Sequence, residues 1–118
     1  MKPFALVAAV AALALPAATG AFAASAGSTL KGTVGPGFMI SLTLDGKKVT
    51  HLKAGNYTVK IEDDSDQQDF HLSGPMVSRL TSITGEGKST WHVTLKKGKY
   101  TYMCDPHSAF MKESFTVS

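Results

Sequence analysis

Hydrophobic and polar residues alternate along most of the chain beyond residue 37. Three apolar sets have this spacing: Phe38, Ile40, Leu42 and Leu44; then Tyr57, Val59 and Ile61; then Trp91, Val93 and Leu95. A period of two residues is typical of a β-strand with one buried face. Apart from an apolar run near the N-terminus, no segment keeps a helical period of apolar residues. The pattern therefore predicts an all-β domain.

Glycine-containing turns separate these segments. Asp45-Gly46 is typical of a hairpin turn, and Lys47–Leu52 is expected to return as its second strand. Lys97-Gly98 marks another turn, after which Lys99–Cys104 runs back and residues 115–117 close the chain. About seven to eight short strands with such regular turns predict a single Greek-key β-sandwich or barrel.

The N-terminus has the features of a secretory signal peptide. Lys2 precedes an apolar run over residues 4–15, and small residues around Phe22 provide a cleavage site. The run is shorter than the about 20 residues that a membrane-spanning helix needs. We therefore predict a signal peptide over residues 1–23 and a mature domain over residues 24–118. The domain is expected to be exported to the periplasm or the extracellular space, without stable insertion in a membrane.

Charge and cysteine content exclude some functions. The chain has 12 Lys and Arg against 9 Asp and Glu, and its charges are mixed, so nothing indicates a nucleic-acid partner. The carboxylate-rich run over residues 62–69 is expected to be a solvated loop. A single cysteine cannot form an internal disulfide, although an exported protein meets oxidising conditions. Stability must then come from the core, with a bound metal as one possible contributor.

The single cysteine lies in the stretch YMCDPHSAFM, residues 102–111. Cys104 shares a strand face with aromatic Tyr102, so its sulfur is expected to point inward at the end of the strand. Pro106 forces a turn directly afterwards. That turn is expected to bring His107 back towards Cys104, and Met111 can close the same loop. A thiolate, an imidazole and a thioether would then meet in one place.

This combination of donors favours copper, which sulfur ligands bind as Cu(I) and nitrogen ligands bind as Cu(II). A second imidazole is needed from elsewhere in the chain. His92 alternates with inward-facing residues and should face solvent, whereas His51 has no other donor near it in sequence. His71 lies on a short strand-like piece that ends in a Gly-Pro turn, so we choose it as the second imidazole. Met76 is a further candidate for the weak thioether position.

The segments DFHLSGP (69–75) and TWHVTLKKGKYTYMCDPHSAFMKESFTV (90–117) resemble the small bacterial cupredoxins, the plastocyanin-like blue copper proteins. The resemblance covers most of the mature chain. It implies a cupredoxin fold with one copper ion, and its ligands fall on His71, Cys104, His107 and Met111. Many family members have Asn directly after the first His, where it ties the two ligand loops together. Here Leu72 stands at that position, so Ser73 or a backbone group is expected to replace it.

A type 1 copper site of this kind implies an electron carrier and not an enzyme, because a saturated site leaves no position for a substrate. The expected monomer would dock briefly with a redox partner near His107. Apolar residues from three loops are expected to surround that imidazole: Pro36, Phe38, Pro75, Met76, Ala109 and Phe110. Two alternatives stay open, namely a copper storage or delivery protein with the same ligands, and a β-sandwich interaction module with an unused thiol.

Overall fold

The structure is a computed structural model that describes residues 27–118. The predicted signal peptide, residues 1–23, lies outside the described residues. The described chain forms ten strands: β1 (Thr29–Val34), β2 (Ile40–Leu44), β3 (Lys47–Lys48), β4 (His51–Leu52), β5 (Gly55–Asp63), β6 (His71–Gly74), β7 (Val77–Leu80), β8 (Gly87–Leu95), β9 (Gly98–Met103) and β10 (Lys112–Val117). A single turn of 3-10 helix covers Asp105–His107.

These strands form two five-stranded sheets. One has the order β3-β2-β1-β5-β8, and the other has the order β4-β10-β9-β6-β7. The first pairs β1 with β5 in parallel, and the second pairs β4 with β10 in parallel. The two-sheet all-β fold predicted from the sequence is thereby confirmed, with ten strands in the described residues where about seven to eight were expected. In the part of the chain that the structure describes, no helix is long and apolar enough to cross a membrane.

The core follows the alternation along the strands. The apolar residues at every second position of β5 and β8 are all buried: Tyr57, Val59, Ile61, Trp91, Val93 and Leu95. Aromatic rings fill the space between the sheets, with Phe70 stacked on Tyr102 and Tyr100 stacked on Phe115, each at 5.4 Å between centroids. The inward face of β9 is therefore packed into the core through Tyr100 and Tyr102.

The first hairpin forms as expected, but its second strand is short. Asp45 and Gly46 have φ values of 52° and 82°, which suit the two-residue turn that matches strand twist. The expectation that Lys47–Leu52 forms one partner strand is wrong. Within this segment only β3 pairs with β2. The chain then crosses to the other sheet, where β4 pairs with β10.

The acidic run is not uniformly solvated, which corrects the expectation from its composition. Asp63, Gln68 and Asp69 are buried, with at most 5% of their surface exposed. Asp63 accepts hydrogen bonds from the Ser65 N–H and the Thr81 hydroxyl, both at 3.1 Å. A buried carboxyl group needs such partners. The run is therefore a structured connection between β5 and β6, at the end of the sandwich where β9 also ends.

Gly74 is expected to be intolerant of any side chain. A Cβ atom there would lie 2.2 Å from Cδ2 of Tyr100, and that ring is fully buried. The Tyr100 hydroxyl donates to the Lys96 carbonyl at 2.9 Å, so the ring cannot move aside easily. Overpacking of this kind typically costs about 1–3 kcal/mol, and we expect Gly74→Ala to lower the free energy of unfolding by at least that much.

Urea denaturation of the metal-free protein measures this loss, with Gly85→Ala as the matched control. A Cβ at Gly85 would meet only Ser82, at 3.5 Å, so the control should stay within about 0.5 kcal/mol of wild type. Equal stability of the two variants would contradict the packing described for Tyr100.

Candidate metal centre

Cys104 lies directly after β9, and its side chain is fully buried. Tyr100 and Tyr102, at alternate positions before it, are buried as well, so the predicted inward direction of the sulfur is confirmed. The chain then turns through the 3-10 helix, which has Pro106 in its first turn. Proline suits that position because its φ is already helical and no N–H is needed there.

Backbone hydrogen bonds close the loop after Cys104. The Cys104 N–H donates to the Met111 carbonyl at 3.0 Å, and the His107 N–H donates to the Cys104 carbonyl at the same distance. The Met111 N–H donates to the His107 carbonyl at 2.9 Å. Met111 is 2% exposed and belongs to the same buried cluster as Cys104. Three of the four predicted ligands are thus brought together in one loop whose backbone is held by its own hydrogen bonds.

The sulfur and the imidazole in this loop face each other. Sγ of Cys104 lies 3.4 Å from Nδ1 of His107. Burial raises the pKa of the Cys104 thiol, and the carboxylates of Asp69 and Asp105 add to this effect. A metal cation between sulfur and nitrogen would reverse the balance, because a coordinating thiol loses its proton. A thiol and an imidazole are both common donors to transition metals.

His71 reaches the same end of the sandwich from the neighbouring strand. It begins β6 and lies opposite Met103 in the register of β6 with β9, one residue before Cys104. However, both nitrogens of its imidazole lie within hydrogen-bond distance of side chains other than Cys104. Nδ1 lies 3.0 Å from Oδ1 of Asp105, and Nε2 lies 3.2 Å from Oγ of Ser78.

Within residues 27–118, one group of three or more His, Cys, Asp and Glu residues has donor atoms within 4.8 Å of one another. That group consists of Asp69, His71 and Asp105, and it does not contain Cys104. The structure thus brings the backbone of His71 to the predicted site, but it directs the ring towards two carboxylates that the sequence reasoning did not select.

The pKa values of these two carboxyl groups, Asp69 and Asp105, are shifted in opposite directions. Burial, together with the nearby carboxylate of Asp105, raises the pKa of Asp69 to about 6. Burial would also raise the pKa of Asp105, but its interactions with Asp69 and His71 outweigh this effect and lower it. Asp69 is fully buried, and its Oδ1 accepts a hydrogen bond from the Asp105 N–H at 2.6 Å. In the sequence both residues looked like ordinary loop acids, and only their positions next to His71 and Cys104 set them apart.

The other candidate donors lie away from this loop. His92 is exposed on β8, as predicted, and His51 is exposed on β4, within hydrogen-bond distance of Thr116 and Ser118. Met76 lies in the turn between β6 and β7, at the end of β6 farthest from His71, and is 83% exposed. The suggestion of Met76 as an alternative thioether ligand is therefore wrong.

An aromatic group covers the outer side of His107. The rings of Phe38 and Phe110 lie 5.0 Å and 5.7 Å from the imidazole, centroid to centroid, and 5.4 Å from each other. Both phenylalanines are more than half exposed. Phe38 extends from a loop closed by a hydrogen bond from the Gly35 N–H to the Met39 carbonyl. We call Phe38, His107 and Phe110 the aromatic patch.

Two residues expected in this surface do not belong to it. Pro75 lies against Gly98 at the start of β9, and its carbonyl oxygen lies 3.3 Å from the Tyr100 hydroxyl oxygen. Met76 follows it, so both lie at the end of the sandwich opposite Cys104. The reason is the direction of β6, which runs away from the loop as soon as it leaves His71.

Comparison with known proteins assigns the chain to a family. A family model for copper-binding proteins of the plastocyanin/azurin family matches residues 46–118. The chain belongs to this family. A search of curated protein sequences gives no significant match.

Solved cupredoxins have the same fold. Reduced rusticyanin superposes with a TM-score of 0.55 at 18% identity, covering 76% of this chain and 78% of that chain. A methionine-to-glutamine variant of rusticyanin gives a TM-score of 0.58 at 17% identity, covering 76% of each chain. Rusticyanin from Thiobacillus ferrooxidans gives a TM-score of 0.50 at 20% identity, with the same coverage. At these identities the likeness concerns the fold alone.

Copper is the cofactor of this cupredoxin, and the residues at the end of β9 fit it. The buried Cys104 sulfur, the His107 imidazole 3.4 Å away and the buried thioether-bearing Met111 are soft and borderline donors in one closed loop. Such a set suits copper better than magnesium or calcium, which prefer oxygen ligands.

Proposed function

We propose that this cupredoxin is an exported electron carrier that holds one type 1 copper ion through His71, Cys104, His107 and Met111. The observation that supports this most strongly is the contact between the Cys104 sulfur and the His107 imidazole, inside a loop that hydrogen bonds close onto Met111. Bound copper would supply a one-electron couple between Cu(I) and Cu(II).

The protein's own contribution is a site that changes little between the two oxidation states. Cys104 is held by β9, and the loop from Cys104 to Met111 is fixed by three backbone hydrogen bonds. His71 stands on the adjacent strand, but either ring nitrogen must first leave Asp105 or Ser78 to act as a ligand. We propose that this ring turns towards Cys104 when copper binds, while the backbone stays in the β6–β9 register.

We propose that a redox partner docks transiently at the aromatic patch. His107 is partly exposed there between Phe38 and Phe110, so an electron would cross the interface through its imidazole. An exposed apolar group on an otherwise polar surface is a common feature of interaction sites. Because the patch is small, it suits a brief encounter of the monomeric protein with its redox partner better than a stable complex. The aromatic patch covers the outer side of the loop that starts at Cys104, which leaves little room for a substrate next to the proposed copper site. This favours an electron carrier over an enzyme.

The docking proposal predicts that Phe38→Ser slows electron self-exchange between oxidised and reduced copies, which must meet patch to patch. Loss of one aromatic contact worth about 1 kcal/mol corresponds to a roughly fivefold slower rate. NMR line broadening in mixtures of both oxidation states measures this rate. Met76→Ser is the matched control, because Met76 is also an apolar residue that is mostly exposed, but it lies at the opposite end of the sandwich. Equal slowing by both variants would count against the patch.

The functional proposal is tested by adding Cu(II) to the purified protein and recording its visible spectrum and voltammogram. An electron carrier should show an intense charge-transfer band from a copper–thiolate bond together with a reversible one-electron couple. Copper uptake without the band and without the couple would favour storage or delivery of the ion. A protein that binds no copper, with a freely titrating thiol, would contradict both assignments.

A further inference from the structure

We infer that Asp69 is a positioning residue that ties the His71 segment to the Cys104 loop, in place of the Asn that many cupredoxins carry directly after the first His. The inference rests on the proposed copper site. Leu72 occupies the position of that Asn and is buried opposite Tyr102, where it can only pack. Ser73 lies opposite Thr101, one step farther from the loop, so it does not replace the Asn either.

Asp69 instead makes the link from the other side of His71. Its Oδ1 accepts a hydrogen bond of 2.6 Å from the N–H of Asp105, the residue that follows Cys104 directly. Thirty-six positions separate the two residues in sequence, so the bond joins two distant segments. A hydrogen bond to a charged acceptor is roughly twice as strong as one between neutral groups.

The surroundings of Asp69 hold its carboxylate in place. The side chain is fully buried, and the next residue, Phe70, is stacked on Tyr102. The Phe70 N–H donates to the Thr81 hydroxyl at 2.9 Å, which anchors the backbone of the connection. A buried carboxyl group is costly unless it is hydrogen-bonded. Among the described residues, Oδ2 of Asp69 has no hydrogen-bond partner, so the bond from the Asp105 N–H to Oδ1 is the one that offsets this cost.

Asp105 completes the connection through its own side chain. Its backbone N–H is bound by Asp69, while its carboxylate oxygens lie 3.0 Å and 3.1 Å from Nδ1 of His71. The residue after Cys104 is therefore held on both sides by the segment that carries His71. When the imidazole leaves Asp105 to bind copper, the bond from Asp69 to the Asp105 N–H would still hold the two segments in register.

The inference is tested first in the metal-free protein, through the reaction of Cys104 with a thiol reagent such as Ellman's reagent. Cys104 is fully buried, so the reagent reports opening of the loop. Asp69→Ala should speed the reaction about tenfold or more after correction for global unfolding, because a hydrogen bond to a charged group is lost. Asp69→Asn keeps an oxygen acceptor and should stay within about threefold of wild type.

Asp63→Ala is the matched control. Asp63 is also a buried carboxylate with two hydrogen bonds, but its bonds go to Ser65 and Thr81 and not to the loop. It should lower stability, and because Thr81 also accepts from the Phe70 N–H, it should raise the reactivity of Cys104 slightly, but well below the rate of Asp69→Ala. If Asp69→Ala does not fold, Asp69→Glu serves instead, because it keeps the charge but displaces the acceptor, and it should also speed the reaction.

Equal corrected rates for Asp69→Ala and Asp63→Ala would overturn the inference. So would an Asp69→Asn rate as high as that of Asp69→Ala, since charge and not the bond would then be responsible. In the copper-loaded protein, Asp69→Ala should also release copper to a chelator about tenfold faster than wild type. A wild-type protein without the copper–thiolate band would defeat the proposed function, whereas the thiol rates would still decide the role of Asp69.

Discussion

Replacing Cys104 with serine is expected to abolish the visible charge-transfer band of the copper-loaded protein completely. The band requires a copper–thiolate bond, and Cys104 is the single sulfur donor of that type in the chain. Serine has nearly the same size and should fit the buried position. The fold should therefore survive while the spectrum is lost, as visible absorption and circular dichroism of one sample can show.

Met103→Leu is the control for this experiment. It removes the sulfur of the preceding residue, whose side chain lies on the opposite face of β9 and is partly exposed. The band of this variant should match that of wild type. A Cys104→Ser protein that kept the band would end the type 1 assignment, because no other residue can supply a thiolate.

Replacing His71 with alanine is expected to weaken copper binding by at least about 100-fold. Loss of a residue that only supports a metal ligand typically costs about 10- to 100-fold in affinity, and loss of a ligand should cost no less. Competition with a chelator of known affinity measures the change. The remaining donors of the loop would leave the ion with an open position, so the spectrum should also change.

His92→Ala is the matched control, since His92 is an exposed imidazole on β8 that lies near the Thr58 hydroxyl at 3.4 Å. It should bind copper as wild type does. If His71→Ala also bound copper with unchanged affinity, the second imidazole would have been assigned wrongly, and the contact of His71 with Asp105 would be its structural role.

The central strands could be predicted because their two faces meet different environments. Tyr57, Val59 and Ile61 point into the core while the residues between them meet solvent, and this difference is visible in the sequence. Short edge strands carry little of this signal. β7 (Val77–Leu80), at the edge of its sheet, is mostly exposed and was not predicted. β1 is the central strand of the other sheet, but it has Gly32 at one of its buried positions and was not predicted either.

The proximity of three of the predicted ligands could be predicted because they are close in sequence. The spacing of Cys104, His107 and Met111 within one loop was enough to predict that they lie together, and the structure places them in one hydrogen-bonded turn. Contacts between distant segments were not visible. Asp69 is one carboxylate in an acidic run. Nothing in the sequence of that run shows that Asp69 turns inward and accepts a hydrogen bond from the backbone after Cys104. The pairing of β6 with β9 brings the two segments together, and this pairing is not visible in the sequence.

The most direct test of the copper site is a crystal structure of the copper-loaded protein with anomalous scattering recorded at the copper edge. We expect one peak within bonding distance of the Cys104 sulfur and of the His71 and His107 imidazoles, with the Met111 sulfur as the weaker fourth ligand. A peak between the carboxylates of Asp69 and Asp105, away from Cys104, would contradict it.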